Sequence, residues 1–157
     1  MTRASIVLVV LACAVRVAYP AGSGVVPVPN PPGAGAPAMT AESRYNAGVV
    51  LAAKNDWQGA EAAYRDATRL KPNFPEAWNG LGHALKNLQR YDESVRAYQE
   101  ALRLRPNYAQ ALEYLGEAYV QMGKTADARR VLERLRPLDG QQAATLERAI
   151  GGQGGSW

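Results

Sequence analysis

The 157-residue chain holds a single cysteine, Cys13, and a single histidine, His83. One cysteine closes no disulfide within the chain, and one Cys with one His builds no Cys/His metal site. Triad chemistry needs a base beside its Ser or Cys nucleophile, and His83 is the only imidazole on offer. No nucleophile–base pair and no metal or cofactor constellation is visible, so the composition argues against an enzyme. Aromatic residues are scarce at 8%. Ala, Leu and Arg are plentiful, a balance that favours helices packed closely through small side chains. Charge of one sign is also missing. The formal net charge is +4, yet between Ala41 and Ile150 there are 16 Lys/Arg against 14 Asp/Glu, with the signs interspersed. Nucleic-acid binders gather their positive charge on one face, so no nucleic-acid partner is expected.

Long hydrophobic runs are lacking too. Ala4–Val15 (ASIVLVVLACAV) has 12 residues, against the roughly 20 that span a bilayer. With Arg3 before it and Arg16 after, it fits the core of a signal peptide over residues 1–19, and an exported chain is expected. Two processing sites overlap there. Ala12-Cys13-Ala14 presents small residues for cleavage after Ala14. Val10-Leu11-Ala12-Cys13 resembles a bacterial lipobox, which would lipidate Cys13 and give an exported chain a use for its unpaired thiol. The first reading predicts a periplasmic protein, the second a membrane-anchored envelope protein tethered through Cys13. Residues 20–40 follow as a Pro/Gly/Ala-rich linker, uncharged through residue 38. Such a segment favours extended polyproline geometry and reaches roughly 60 Å at ~3.1 Å per residue.

From Ala41 onward the sequence matches itself at a period of 34 residues. Gly48, Gly82 and Gly116 coincide, as do Leu51, Leu85 and Tyr119, and Ala60, Ser94 and Ala128. Tyr64 and Tyr98 fall on Leu132, and Pro72 and Pro106 end two of the units. A fixed period of this length is the mark of stacked repeats. Within a unit, Trp78, Leu81, Leu85 and Leu88 share one helical stripe. After a polar break at Gln89-Arg90, Val95, Tyr98, Ala101 and Leu102 line a second helix. Gly82 and Ala101 are small where the two helices cross, and Pro106 closes the unit.

These residues resemble the tetratricopeptide repeat. Trp78-x-x-Leu81-Gly82-x-x-Leu85, Ser94, Tyr98, Ala101 and Pro106 match its pattern in the middle unit. The first unit matches at Gly48, Leu51, Ala60, Tyr64, Ala67 and Pro72, with Arg44 where a large apolar residue belongs and Tyr45 beside it to fill that role. The third matches at Leu112, Leu115, Gly116, Tyr119 and Ala128, with Gly140 in place of proline. The resemblance implies an all-α, right-handed solenoid of three antiparallel helix pairs over residues 41–74, 75–108 and 109–140, within a domain spanning 41–150. Asp139 is placed to cap a C-terminal capping helix over 140–150, whose weak stripe reads as Ala144, Thr145, Ala149 and Ile150. Residues 151–157 are expected to be a Gly-rich flexible tail.

The resemblance also implies a function. In tetratricopeptide proteins the first helices of successive repeats line a concave groove that holds a peptide or helix of a partner. The inward positions carried over are Glu42, Tyr45, Val49, Ala52 and Ala53, then Glu76, Asn79, His83, Lys86 and Asn87, then Gln110, Glu113, Glu117, Val120 and Gln121. Four carboxylates against one lysine predict a protein or peptide partner offering a neutral or basic segment. Some relatives clamp a C-terminal carboxylate with cations. The matching positions, Tyr45, Val49, Gly80, Gln110 and Tyr114, supply no positive charge. The expected role is a non-catalytic scaffold within an envelope assembly. The alternative is a structural subunit that forms homo-oligomers through its repeat ends.

Other signals are bland. Gly123-Lys124-Thr125 has the look of a phosphate loop's end, but Ala118 replaces its first glycine, and the run reads as a turn with Thr125 as N-cap. Arg129, Arg130, Arg134 and Arg136 surround one helix as a solvated face.

Overall fold

The computed structural model describes residues 39–152. Among them seven α-helices follow one another, with no strand: α1 Ala41–Ala53, α2 Trp57–Leu70, α3 Pro75–Asn87, α4 Tyr91–Leu104, α5 Ala109–Gln121, α6 Thr125–Leu135 and α7 Gly140–Gly152. The leader, Cys13, most of the linker and the last five residues of the tail lie outside the described residues.

The pairs are made by one turn used three times. Asn55, Gln89 and Gly123 stand one period apart and share a left-handed backbone, with φ of 59°, 60° and 69°. In each turn this residue's N–H donates three residues back, and the next N–H donates five back. Asn55 N–H reaches Ala52 O at 2.9 Å and Asp56 N–H reaches Leu51 O at 3.0 Å, a Schellman closure. Gly123 adopts this conformation without a steric cost, while Gln89 bears one.

Asp56 caps α2 by accepting from Gly59 N at 2.9 Å, and Thr40 caps α1 by accepting from Ser43 N at 3.1 Å. Asp139 caps α7, accepting from Gln141 N and Gln142 N at 3.0 Å each. Thr125 is not a cap. Lys124 holds the cap position of α6, with no side-chain hydrogen bond, and Thr125 is the first helical residue. The helix therefore starts one residue earlier than a cap at Thr125 would give.

Each second helix packs against its own first helix and against the first helix of the next unit, giving a solenoid. The glycines explain how closely they approach. A Cβ on Gly48 would sit 2.6 Å from the Tyr64 ring, and one on Gly82 2.6 Å from the Tyr98 ring. The third unit solves the same problem differently. Leu132 stands where Tyr64 and Tyr98 stand, and the space over Gly116 is filled by Leu146 from α7. The buried face of α7 is therefore Ala143, Leu146 and Ile150. Of the four residues read as its stripe only Ile150 belongs to it. Ala144 is exposed, and Thr145 and Ala149 are half-buried. The deciding residue is Leu146, fully buried because Leu132 is too short to reach Gly116.

At the other end, Tyr45 does fill the place left by Arg44. Its ring packs 5.8 Å from Tyr64 and 5.1 Å from Phe74, while Arg44 pairs with Asp66 at 3.6 Å. No helix among the described residues precedes α1, and Val50 is 54% exposed where its counterparts Ala84 and Ala118 are fully buried.

Candidate functional site

α1, α3 and α5 lie side by side, which sets their 34-residue-related side chains in rows. Asn79 is buried, and its Nδ2 donates to Gln110 Oε1 at 3.3 Å. Gln110 in turn donates to the Tyr114 hydroxyl at 3.3 Å and accepts from the Tyr108 hydroxyl at 3.4 Å. His83 is held between two aromatic rings. Trp57 meets it edge-on at 5.3 Å, and Tyr114 stacks on it at 5.0 Å with 15° between the planes. Lys86 lies over the other part of that arrangement, its Nζ 4.7 Å from the Tyr114 centroid, and pairs with Glu117. The chain Trp57–His83–Tyr114–Lys86–Glu117 thus crosses three units. Beside it a cavity of about 300 Å³ opens between Lys86, Tyr91, Glu117, Val120, Gln121 and Ala149.

The remaining expected positions are less connected. Asn87 is exposed, and its Nδ2 turns back to His83 O at 2.8 Å. Val49 is exposed on α1, and Gln121 reaches the site only as a cavity wall. Glu113 is half-buried and forms no ion pair among the described residues.

The carboxylates are less dominant than the first helices alone suggest. Glu42 accepts from Lys71 at 2.7 Å, and Glu76 accepts from Arg105. Both cations sit just past the second helices and swing back over the first. Lys71 also lies 4.8 Å from the Phe74 centroid, and Arg105 4.7 Å from that of Tyr108. The four-to-one excess of carboxylates shrinks, because Lys71 and Arg105 join Lys86. The clasp ends in the third unit, where Gln110 replaces the glutamate and Asp139, used as a helix cap, replaces the cation. Lys71, Arg105 and the aromatic residues Trp57, Tyr91 and Tyr108 were missed by carrying over first-helix positions. The period itself could have found them, since Trp57 and Tyr91, and Lys71 and Arg105, are each 34 residues apart. Tyr45 and Val49 recur in the third unit as Glu113 and Glu117, so those inward positions carry carboxylates there.

Electrostatics follow the geometry. The hydrogen bond from Lys71 holds the Glu42 carboxyl below its usual range. Burial would raise Glu76, but the hydrogen bond and charge of Arg105 bring it below the ordinary value. Burial, then the neighbouring Glu117, pushes Glu113 up. His83 is pushed down by burial and then by Lys86, against a smaller opposing pull from Glu117, so its neutral form is favoured.

Comparison with known proteins places this geometry. Residues 74–140 match one tetratricopeptide-repeat family model, and residues 48–89 match a second. No curated protein sequence matches the chain. Among solved structures, the TPR2B domain of yeast Sti1, in its pHsp70 complex, superposes with a TM-score of 0.70 at 22% identity. That match covers 73% of this chain and 98% of that one. The Arabidopsis OM64 TPR domain gives 0.69 at 16% identity, covering 73% and 96%. The first TPR domain of Spaghetti (RPAP3), bound to the HSP90 peptide SRMEEVD, gives 0.69 at 19% identity, covering 74% and 94%. The chain carries tetratricopeptide repeats from residue 48 to residue 140, and its described part folds as a tetratricopeptide-repeat solenoid.

Proposed function

We propose that this chain is a non-catalytic interaction scaffold that holds a peptide or helical segment of a partner protein along α1, α3 and α5. The observation that carries the reading is the stacked chain from Trp57 to Glu117 with its adjoining cavity. It fixes aromatic faces and one ion pair in advance, so little side-chain entropy is lost on binding. Solved tetratricopeptide domains of the same fold are found in complex with pHsp70 and with the HSP90 peptide SRMEEVD. A carboxylate-terminated ligand of that kind is disfavoured here, because Tyr45, Val49, Gly80, Gln110 and Tyr114, the positions matched to the family's carboxylate clamp, supply no positive charge. The unpaired Glu113 favours a neutral segment or one with a single Lys or Arg.

Photocrosslinked pull-down from the native cell tests this, comparing the full chain with a Glu113→Lys, Gln121→Arg variant. Loss of one abundant partner from the variant alone supports the groove. An unchanged partner list refutes it, and selection of acidic over basic peptides would refute the charge preference. The leader supports an exported scaffold in an envelope assembly, and mass spectrometry of the mature N-terminus decides it. An acylated Cys13 means a membrane-anchored protein, a start at Val15 means a periplasmic one, and an intact Met1 refutes export.

One observation favours a second reading. Val50 is exposed where Ala84 and Ala118 are buried, so the free end of α1 could pack against another copy. Concentration-dependent sedimentation abolished by Val50→Glu would support self-association through repeat ends.

A further inference from the structure

The second helices form a face of their own, away from the stacked chain at His83, and the same cleft occurs on it twice. Between α2 and α4 it has a volume of about 180 Å³, and between α4 and α6 about 400 Å³. The 34-residue period aligns the two clefts wall by wall, so their differences can be read residue by residue. Trp78 lines the smaller cleft, and its counterpart Leu112 is fully buried and lines neither. Glu93 corresponds to Asp127 and Arg96 to Arg130, which leaves that part unchanged. Glu100, however, corresponds to Arg134. The smaller cleft is walled by two guanidiniums, Arg65 and Arg96, and two carboxylates. The larger is walled by three, Arg103, Arg130 and Arg134, against Asp127 alone.

Its floor is apolar, made by Leu102, Leu115 and Val131, each 3–6% exposed. The rim cations remain open to a ligand. Arg103 is held by Glu100 at 2.8 Å and Arg130 by Asp127 at 3.1 Å, but both arginines are largely exposed. Such surface pairs are weak and exchange readily. Arg134 touches no carboxylate among the described residues and donates only to Pro106 O at 3.3 Å.

We propose that the cleft between α4 and α6 is a second docking site, for an acidic peptide segment that inserts one leucine-sized side chain between flanking Asp or Glu residues. The volume matches an anchoring side chain with its adjacent backbone. The arginines match carboxylates, which they bind through paired N–H donors. A flat lipid surface offers no projecting group to enter a cleft between two helices. The preference is opposite to that of the α1–α3–α5 face, so the two faces would hold different segments.

Fluorescence anisotropy of the full chain at low salt tests this with three labelled peptides: repeated Asp-Glu-Leu, the same with Leu replaced by Gly, and repeated Lys-Lys-Leu. Tightest binding is expected for Asp-Glu-Leu. Arg134→Glu, which installs the residue of the smaller cleft at an exposed position, should weaken it about tenfold, as for loss of a hydrogen bond to a charged group. Arg134→Gln should weaken it less, and serves if the Glu variant melts early. Glu113→Lys on the other face should leave it unchanged. Equal binding of the Lys-Lys-Leu or Gly peptides overturns the proposal, as does indifference to both Arg134 variants. Binding of anionic phosphatidylglycerol vesicles with no binding of the acidic peptide also overturns it, in favour of a lipid surface.

Discussion

Leu146 and Leu132 share one space over Gly116, and exchanging their roles tests how the solenoid is closed. Leu146 is fully buried and comes from α7, outside the three repeats. Leu146→Ala removes a buried isobutyl group, which costs about 2–5 kcal/mol in general. At the end of a stack α7 can settle inward, so a value near the lower limit, about 2–3 kcal/mol, is expected. Leu132→Tyr installs the tyrosine of the first two units while Leu146 still occupies its place, and overpacking costs about 1–3 kcal/mol. If the effects were independent, the double variant would lose the total of both. The structure predicts otherwise. With Leu146 shortened, the new ring can lie over Gly116 as Tyr64 lies over Gly48, and the double variant should be no less stable than Leu146→Ala alone. That requires a coupling of at least about 1 kcal/mol, within the range for residues in direct contact. Urea unfolding followed by far-UV circular dichroism on all four proteins gives the cycle. Additivity within about 0.5 kcal/mol would refute the reasoning.

Gly82→Ala should destabilise by up to about 2 kcal/mol in thermal melts: crowding the fully buried Tyr98 ring costs about 1–3 kcal/mol, less a helix-propensity gain of about 1 kcal/mol. Gln89→Gly should stabilise by about 1 kcal/mol, since it relieves a left-handed backbone at φ 60°; a loss of stability would mean that the Gln89 side chain holds the turn. Asp139→Ala should cost about 1 kcal/mol and speed amide exchange at Gln141 and Gln142 before any other helix start. Glu113→Gln should be more stable than the parent at neutral pH by a few tenths of a kcal/mol, the scale of a like-charged i,i+4 pair. The sign follows from the raised folded-state pKa of Glu113. The parent has its full stability below the ordinary glutamate range and loses part as pH rises through the raised value. The gap between the two proteins should therefore close in acid, and a gap independent of pH would contradict the assignment.

Much of the architecture was legible in the sequence because it repeats. Three aligned glycines, two aligned tyrosines and two closing prolines give the helix pairs and their crossings, since each feature answers a constraint within one unit. The repeat motif is local, and local chemistry is what a sequence displays. The rows of side chains along α1, α3 and α5 were legible for the same reason. Tertiary structure decided what happens between units and at their ends. Lys71 and Arg105 lie outside the first helices, and only the turn back across the pair brings them onto Glu42 and Glu76. Trp57 reaches His83 from the start of a second helix, 26 positions earlier in the chain. The stripe expected for α7 lay off its buried face, although Ala143, Leu146 and Ile150 stand at i, i+3 and i+7 and so share one helical face. Leu146 is selected by the space that Leu132 leaves empty, a property of the packed stack and of neither helix alone. The periodic sequence determines the unit, and the packing of non-periodic residues determines how the stack is closed and which of its surfaces carry unpaired charge.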